Sequence, residues 1–239
     1  RIYRYTNSLL PETITALKET VSTSAALYVN GTAVNGPLTV TKSAPDRVEL
    51  AGTVATPGYE LTQNSWIEYD GLLWNSVTLK AREDLSEIEL RIGIPDDIAK
   101  FYHAAGGGFG GGGGRTGLVD KSIALSFWPV VWVGNQERGL SWFAESNASW
   151  QTSSATPIEI VEENGQTYLK VRFADKLAQG ENIRLDFGLL ATPVKPLPPE
   201  YPFTMFGDEY AIHLNQKAPN APVTAAALLM SPRGEELGN

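Results

Sequence analysis

An all-β fold, a large antiparallel β-sandwich, is what this chain predicts, and three observations predict it. Apolar and polar residues alternate in several short runs. Two of those runs meet at an Asn-Gly pair, the residues that supply the positive φ of a tight hairpin turn. Strand patterns do not alternate with helical ones, so neither a doubly wound sheet nor a (β/α)8 barrel is encoded.

Taken along the chain, "PETITALKET" (Pro11–Thr20) reads either way, because its threonines favour strand over helix. "ALYVNGTAV" (Ala26–Val34) carries an Asn30-Gly31 turn signal between short apolar runs. Val48, Leu50, Gly52 and Val54 form an alternating strand, and "LLWNSVTLKAR" (Leu72–Arg82) reads as a long one after a turn at Asp70-Gly71. Ile88, Leu90, Ile92 and Ile94 alternate with Glu87, Glu89, Arg91 and Gly93, which predicts a strand with one wet face. "PDDIAKFYHAA" (Pro95–Ala105) has Asp near its start and predicts two turns of helix.

"GGGFGGGGGRTG" (Gly106–Gly117) is low complexity, and a flexible loop over 104–117 follows from its backbone entropy. A phosphate-binding loop does not, because no Gly-Lys-Ser/Thr follows. "IEIVEENGQTYLKVRF" (Ile158–Phe173) is the clearest hairpin, two alternating runs around Asn164-Gly165. Ile183, Leu185, Phe187 and Leu189 form another strand. "ATPVKPLPPEYP" (Ala191–Pro202) holds five prolines and favours extended, semi-rigid chain. The expected organisation is a sandwich over 1–192, a Pro-rich linker over 193–203 and a C-terminal extension over 204–239.

Within the sandwich, "VVWVGNQERGLSWFAES" (Val130–Ser146) gathers large aromatics and two glutamates around one turn. If Gly134 faces Gly139, then Trp128, Val130, Trp132 and Phe143 share one face and Val131, Val133, Leu140 and Trp142 the other. Both faces are apolar, the pattern of strands buried on both sides. Trp150, flanked by Ser149, Gln151 and Thr152, is the better candidate for exposure. The residues that would meet a glycan are therefore Trp150 and Trp132, with Glu137 and Arg138 in the turn.

Hydrolysis of a glycoside needs two carboxylates about 5–10 Å apart, one of raised pKa. Glu137 sits beside Arg138, which favours its ionised form, and Glu145 closes a strand. Asp208-Glu209 is an adjacent acidic pair of the common, solvated kind. No Gly-x-Ser-x-Gly nucleophile elbow occurs, so no catalytic residue is assigned.

Composition narrows the remaining classes. The 239 residues are 42% hydrophobic, enough for a real core. There are no cysteines and the two histidines, His103 and His213, lie far apart, so no metal site and no cofactor are expected. The net charge of −8, without a basic stripe, makes nucleic acid an unexpected partner. No stretch reaches the ~20 apolar residues of a transmembrane span. The chain begins Arg-Ile-Tyr, without Met or a signal-peptide pattern, as a mature or excised product would. Asn30-Gly-Thr and Asn147-Ala-Ser fit the glycosylation sequon, and an extracellular or cell-surface setting is the expectation.

The blocks "WIEYDGLLWNSVTL" (Trp66–Leu79), "IGIPDDIAKFYH" (Ile92–His103), "FWPVVWVGNQERGLSWFAES" (Phe127–Ser146) and "FGLLATPVKPLPP" (Phe187–Pro199) resemble the N-terminal β-sandwich of glycoside hydrolase family 123-like proteins. The resemblance runs from about Arg1 to Pro202 and is most specific at "GNQERGLSWFAES". It implies a sandwich fold and a carbohydrate-related role. In that family a barrel downstream of the sandwich carries an Asp-Glu dyad that hydrolyses N-acetylhexosaminides. The residues after Pro202 are too few for a barrel of ~250 residues, so the dyad's role does not pass to Asp208-Glu209.

Two functions follow. The first is a non-catalytic accessory sandwich that contacts glycan through exposed aromatics. The second is a self-assembling extracellular subunit, a homo-oligomer in which the apolar "APVTAAALLMS" (Ala221–Ser231) is donated as a strand through Val223, Ala225, Ala227 and Leu229. A complete enzyme on this sandwich ranks below both.

Overall fold

A computed structural model describes residues 1–16, 18–106 and 114–193. The first strands are β1 (Ile2–Arg4), β2 (Thr13–Ala16), β3 (Glu19–Ser22), β4 (Ser24–Val29), β5 (Thr32–Ala33) and β6 (Thr39–Ser43). β7 (Arg47–Ala55), β8 (Tyr59–Glu68), β9 (Leu72–Ala81), β10 (Leu85–Ile94), β11 (Phe101–Ala105) and β12 (Arg115–Leu118) follow. The last are β13 (Ile123–Leu125), β14 (Val130–Gly134), β15 (Gly139–Phe143), β16 (Ile158–Glu163), β17 (Gln166–Leu177) and β18 (Asn182–Thr192).

Three antiparallel sheets result. Nine strands run in the order β12-β11-β14-β15-β18-β9-β8-β7-β6, six in the order β13-β16-β17-β10-β4-β5, and three in the order β1-β2-β3. The two large sheets pack face to face. Leu73, Val77, Leu79, Val131, Val133, Leu140, Trp142, Leu185 and Phe187 come from one, Leu27, Leu90, Ile92, Ile158, Leu169, Val171 and Phe173 from the other, in one continuous core. Phe173 of β17 meets Phe187 of β18 across the layers, ring centroids 6.0 Å apart. The fold is the all-β sandwich that the alternating runs predict.

Local chemistry explains most elements. The β16–β17 hairpin turns on Asn164 (φ 53°) and Gly165 (φ 75°), both in the left-handed region that a type I′ turn needs, and Asn30-Gly31 repeats it between β4 and β5. Pro11–Thr20 resolves as strand, supplying β2 and the start of β3.

Three expectations are corrected. Residues 95–105 form a single turn, closed by Ala99 N–H donating to the Pro95 carbonyl at 2.8 Å, and then become β11. One turn cannot repay helix nucleation when Phe101–Ala105 can pair with both β12 and β14. The strand β10 has no fully wet face, because Glu89 and Gly93 are buried and Glu87 and Arg91 half-buried, with the Arg91 and Arg172 side chains lying at Glu89. Within the span 104–117 expected as loop, Ala104 and Ala105 end β11 and Arg115–Gly117 open β12, and residues 107–113 lie outside the described residues.

Residues Arg1–Val194 form one compact unit. The Pro-rich linker, Asp208-Glu209 and the strand-donation residues Val223, Ala225, Ala227 and Leu229 lie outside the described residues, apart from Pro193 at the linker's start. Among the described residues, no helix is long and apolar enough to cross a membrane.

Candidate functional site: an aromatic row on the nine-stranded sheet

Alternation along β9 divides its side chains. Leu73, Asn75, Val77 and Leu79 turn inward and are buried, while Leu72, Trp74, Ser76, Thr78 and Lys80 turn outward. Register then carries Trp74 into a row across the outer face. It pairs with Trp66 on β8 and with Gly188 on β18; Gly188 pairs with Phe143 on β15, and Phe143 with Val130 on β14. Trp66, Trp74 and Phe143 are half-buried, and Val130 is exposed. The centroids of Trp66 and Trp74 lie 6.3 Å apart with planes turned by 20°, those of Trp74 and Phe143 5.8 Å apart and turned by 43°.

Phe143 stands two strands from Trp74, a gap of about 10 Å at the usual strand spacing. Gly188 closes it. A Cβ at that position would fall within 2.7 Å of three atoms of the Phe143 ring, so the ring leans across the bare backbone toward Trp74. Trp132 uses the same device. Its indole lies over Gly134 and Gly139, where added Cβ atoms would come within 2.7 Å of ring atoms, and its Nε1–H donates to Thr192 Oγ1 at 2.9 Å.

Polar groups flank the row. Asp186 pairs with Ser76 one step along the strands, accepting from the Ser76 hydroxyl at 2.6 Å and from Arg184 Nε at 2.8 Å. Burial pushes the Asp186 carboxyl up, but the Arg184 and Ser76 hydrogen bonds outweigh it and hold the group below the ordinary value. At the other end the Arg47 guanidinium lies over Trp66, 4.4 Å from the ring centroid, and its Nε is 3.5 Å from Glu49.

The Gly134–Gly139 pairing holds, and Val131, Val133, Leu140 and Trp142 are fully buried as that register requires. The opposite face, however, is not buried. Val130, Trp132, Ser141 and Phe143 face outward, because β14 and β15 are covered by the other sheet on one side alone.

Trp132, Glu137 and Arg138 come together at one end of the β14–β15 hairpin. Asn135 Oδ1 accepts from the Glu137 and Arg138 N–H groups at 2.9 and 3.0 Å and shapes the turn. The Arg138 side chain is 10% exposed and pairs with Glu19 of β3 and with Glu137, the latter at 2.7 Å. This guanidinium ties the turn to the small sheet.

Trp150 lies apart from that group and is half-buried rather than free. Its ring is met edge-on by Phe127 at 5.3 Å and Phe173 at 5.0 Å, with Trp142 6.2 Å away. Polar neighbours in sequence masked this, because Gln151 bridges to Ala174 of β17 and draws the segment onto the core.

Sequence reasoning missed Trp66 and Trp74 as surface rings. The signal was present: in Leu72–Lys80, Trp74 shares its alternation phase with Ser76, Thr78 and Lys80.

The acids do not converge. Glu137 and Glu145 are exposed. Among the described residues Glu89 is the one buried carboxylate, 2% exposed on the six-stranded sheet, paired with Arg91 and lying 3.8 Å from Arg172. It borders a cleft of about 80 Å³ with Ser154, Thr156, Lys170 and Arg172, well below the ~300 Å³ at which ligand sites begin. Among the described residues no three His, Cys, Asp or Glu side chains gather as metal ligands.

Comparison with known proteins adds a family. The model described as glycoside hydrolase 123, third domain, matches residues 4–147. No curated protein matches the chain. Among solved structures, the GalM/aldose epimerase homologue from C. elegans is 11% identical over 70% of this chain and 78% of its own, with a TM-score of 0.37. The Aspergillus nidulans amine oxidase is 8% identical over 72% of this chain and 38% of its own, with a TM-score of 0.34.

Proposed function

The chain belongs to the family of the third domain of glycoside hydrolase 123, and on that premise we propose that it is a non-catalytic, accessory domain that offers the outer face of its nine-stranded sheet to glycan. The family match makes it a carbohydrate-related β-sandwich domain. The observation that carries the accessory reading is the row Trp66–Trp74–Phe143, three half-buried rings from β8, β9 and β15 brought together on the outer face. A pyranose has an apolar face of C–H groups and a rim of hydroxyls. Aromatic rings suit the first and paired polar side chains such as Ser76 and Asp186 the second.

Catalysis is the poorer reading of the same residues. A glycosidase needs one carboxyl kept protonated and a second within reach. Here Asp186 is held below the ordinary carboxylate value by Arg184 and Ser76, and Glu89, paired with Arg91, has no second carboxylate in its cleft other than the exposed Glu159.

The test is retention and turnover by the pure chain. Affinity electrophoresis through gels containing soluble polysaccharides is expected to retard it, and aryl N-acetylhexosaminides are expected to survive incubation with it. Release of the aryl group above the buffer rate would refute the accessory reading, and migration unchanged by every polysaccharide would refute glycan contact.

A further inference from the structure

We infer that β12 is a self-association edge. Two copies of this chain pair through Arg115–Leu118, antiparallel about a two-fold axis at Gly117, and their nine-stranded sheets join into one. The inference stands apart from the glycan reading above and does not need it.

The direction of the backbone groups comes first. In an antiparallel pair, partners that exchange both hydrogen bonds alternate with partners that exchange none. Val119 N–H donates to the Lys100 carbonyl at 2.9 Å. In the register that sets Leu118 against Phe101, the bonded partners are therefore Gly117 with Tyr102 and Arg115 with Ala104. The N–H and C=O groups of Thr116 and Leu118 then point away from β11. β12 is the last strand of its sheet among the described residues, so these groups lie on its outer edge. The Leu118 side chain beside them is 58% exposed.

The other edges of the two large sheets carry protection. β6 is bent by a register shift between Val40 and Lys42, and Lys42 lies 3.7 Å from Glu49. The Ala124 carbonyl of β13 accepts from the Arg115 guanidinium at 3.2 Å, and β5 has two residues. Bulges, lysines and short strands are the ways in which edges avoid further pairing. β12 has no register shift and no lysine.

The strand fits a second copy of itself. Turned about Gly117, Thr116 faces the partner's Leu118 and Leu118 faces the partner's Thr116. These are two bonded pairs, and they use each outward N–H and C=O once. Gly117 meets Gly117 at the close, non-bonded position, with ~4.5 Å between Cα atoms and no side chain on either. Tyr102 already requires that glycine, since a ring carbon would lie 2.8 Å from an added Cβ. Charge selects the same direction. Arg115 and Asp120 are exposed and form no ion pair among the described residues. Antiparallel pairing places each Arg115 opposite the partner's Val119 and next to the partner's Asp120. Parallel pairing would set Arg115 beside Arg115. An edge of four residues buries far less than a standard interface of ~1,600 Å², and two copies of net charge −8 repel, so the dimer is weak, with a dissociation constant on the order of 0.1–1 mM.

The experiment is sedimentation of the full chain up to about 1 mM at physiological salt, with variants of the edge. The native chain is expected to dimerise. Leu118→Pro removes an outward N–H that its own sheet does not use, so the urea midpoint should stay near the native one while association falls at least about tenfold. Asp120→Arg sets like charges side by side and should weaken association by about as much; adding Arg115→Asp should restore it to within about threefold, which a folding defect would not do. Register is read by oxidation. A mixture of Thr116→Cys and Leu118→Cys chains should form the mixed disulfide at least about fivefold faster than either variant links to itself, because paired Cα atoms stand ~5.5 Å apart and like positions stand farther. A native chain that stays monomeric at 1 mM, a dimer that Leu118→Pro leaves intact, or equal linking rates overturns the inference, and each leaves the glycan reading untouched.

Discussion

Gly188 and Phe143 are register partners on β18 and β15, and the phenyl ring occupies the space that a side chain at 188 would fill. The contact joins Phe143 to Trp74 in one row, so a residue without a side chain completes the aromatic surface. Gly188→Ala should therefore cost about 1–3 kcal/mol through overpacking and weaken glycan binding together. In a Phe143→Ala background the same change should cost less than half as much. A double-mutant cycle by urea denaturation measures the difference, and strict additivity would mean that the ring does not rest there.

The two faces of the sheet should respond differently to loss of an indole. Trp142 is 0% exposed, so Trp142→Ala should destabilise the domain by about 3–5 kcal/mol. Trp142→Phe should cost much less, because it also removes a buried N–H that has no acceptor among the described residues. Trp74→Ala, on the open face, should lose less than half the stability that Trp142→Ala loses, and most of the glycan affinity. Equal losses of stability at the two positions would contradict an open outer face.

The buried guanidinium of Arg138 gives a third test. Glu19→Ala removes one of its two carboxylate partners, and Glu19→Ala with Glu137→Ala removes both. The double variant should unfold at a lower urea concentration than the native chain, because it leaves the guanidinium without either carboxylate partner. Oligosaccharide affinity should stay within about twofold, since the ion pairs stand apart from the Trp66–Phe143 row. A large drop in affinity with unchanged urea midpoint would place Arg138 among the glycan contacts after all.

Acid should expose the role of Asp186. Its folded pKa lies below the ordinary 3.8, so its contribution to stability is present above that value and is lost as pH falls through the folded one. Melting temperatures of the native chain and of Asp186→Asn should differ by a constant amount from pH 8 down to about 5 and converge below about 3.8. Glycan affinity of the native chain should be flat across pH 5–8, because Asp186 keeps its charge throughout. A gap that widened on acidification would reverse the sign of the shift.

Much of this was legible in the residues alone. The period-two patterns of Ile88–Ile94, Leu72–Arg82 and Ile183–Leu189 and the Asn164-Gly165 turn determine strands and hairpins, because alternation and positive φ are local properties. The Gly134–Gly139 register, which puts Val131, Val133, Leu140 and Trp142 on one face, also follows from short-range pattern. Family kinship could be read from the "GNQERGLSWFAES" block. What tertiary structure decided is which apolar face meets water. Trp74 and Trp142 are both indoles in strands, yet Trp142 is fully buried and Trp74 only half-buried, since among the described residues the second large sheet packs on one side of β9, β14, β15 and β18. Trp150 looked free among polar neighbours, but the Gln151–Ala174 bridge brings it against Phe173. Gly188 could not be assigned a purpose without knowing that Phe143 leans across it. Exposure depends on contacts between residues distant in sequence, and those are fixed by how sheets stack rather than by what any single strand prefers.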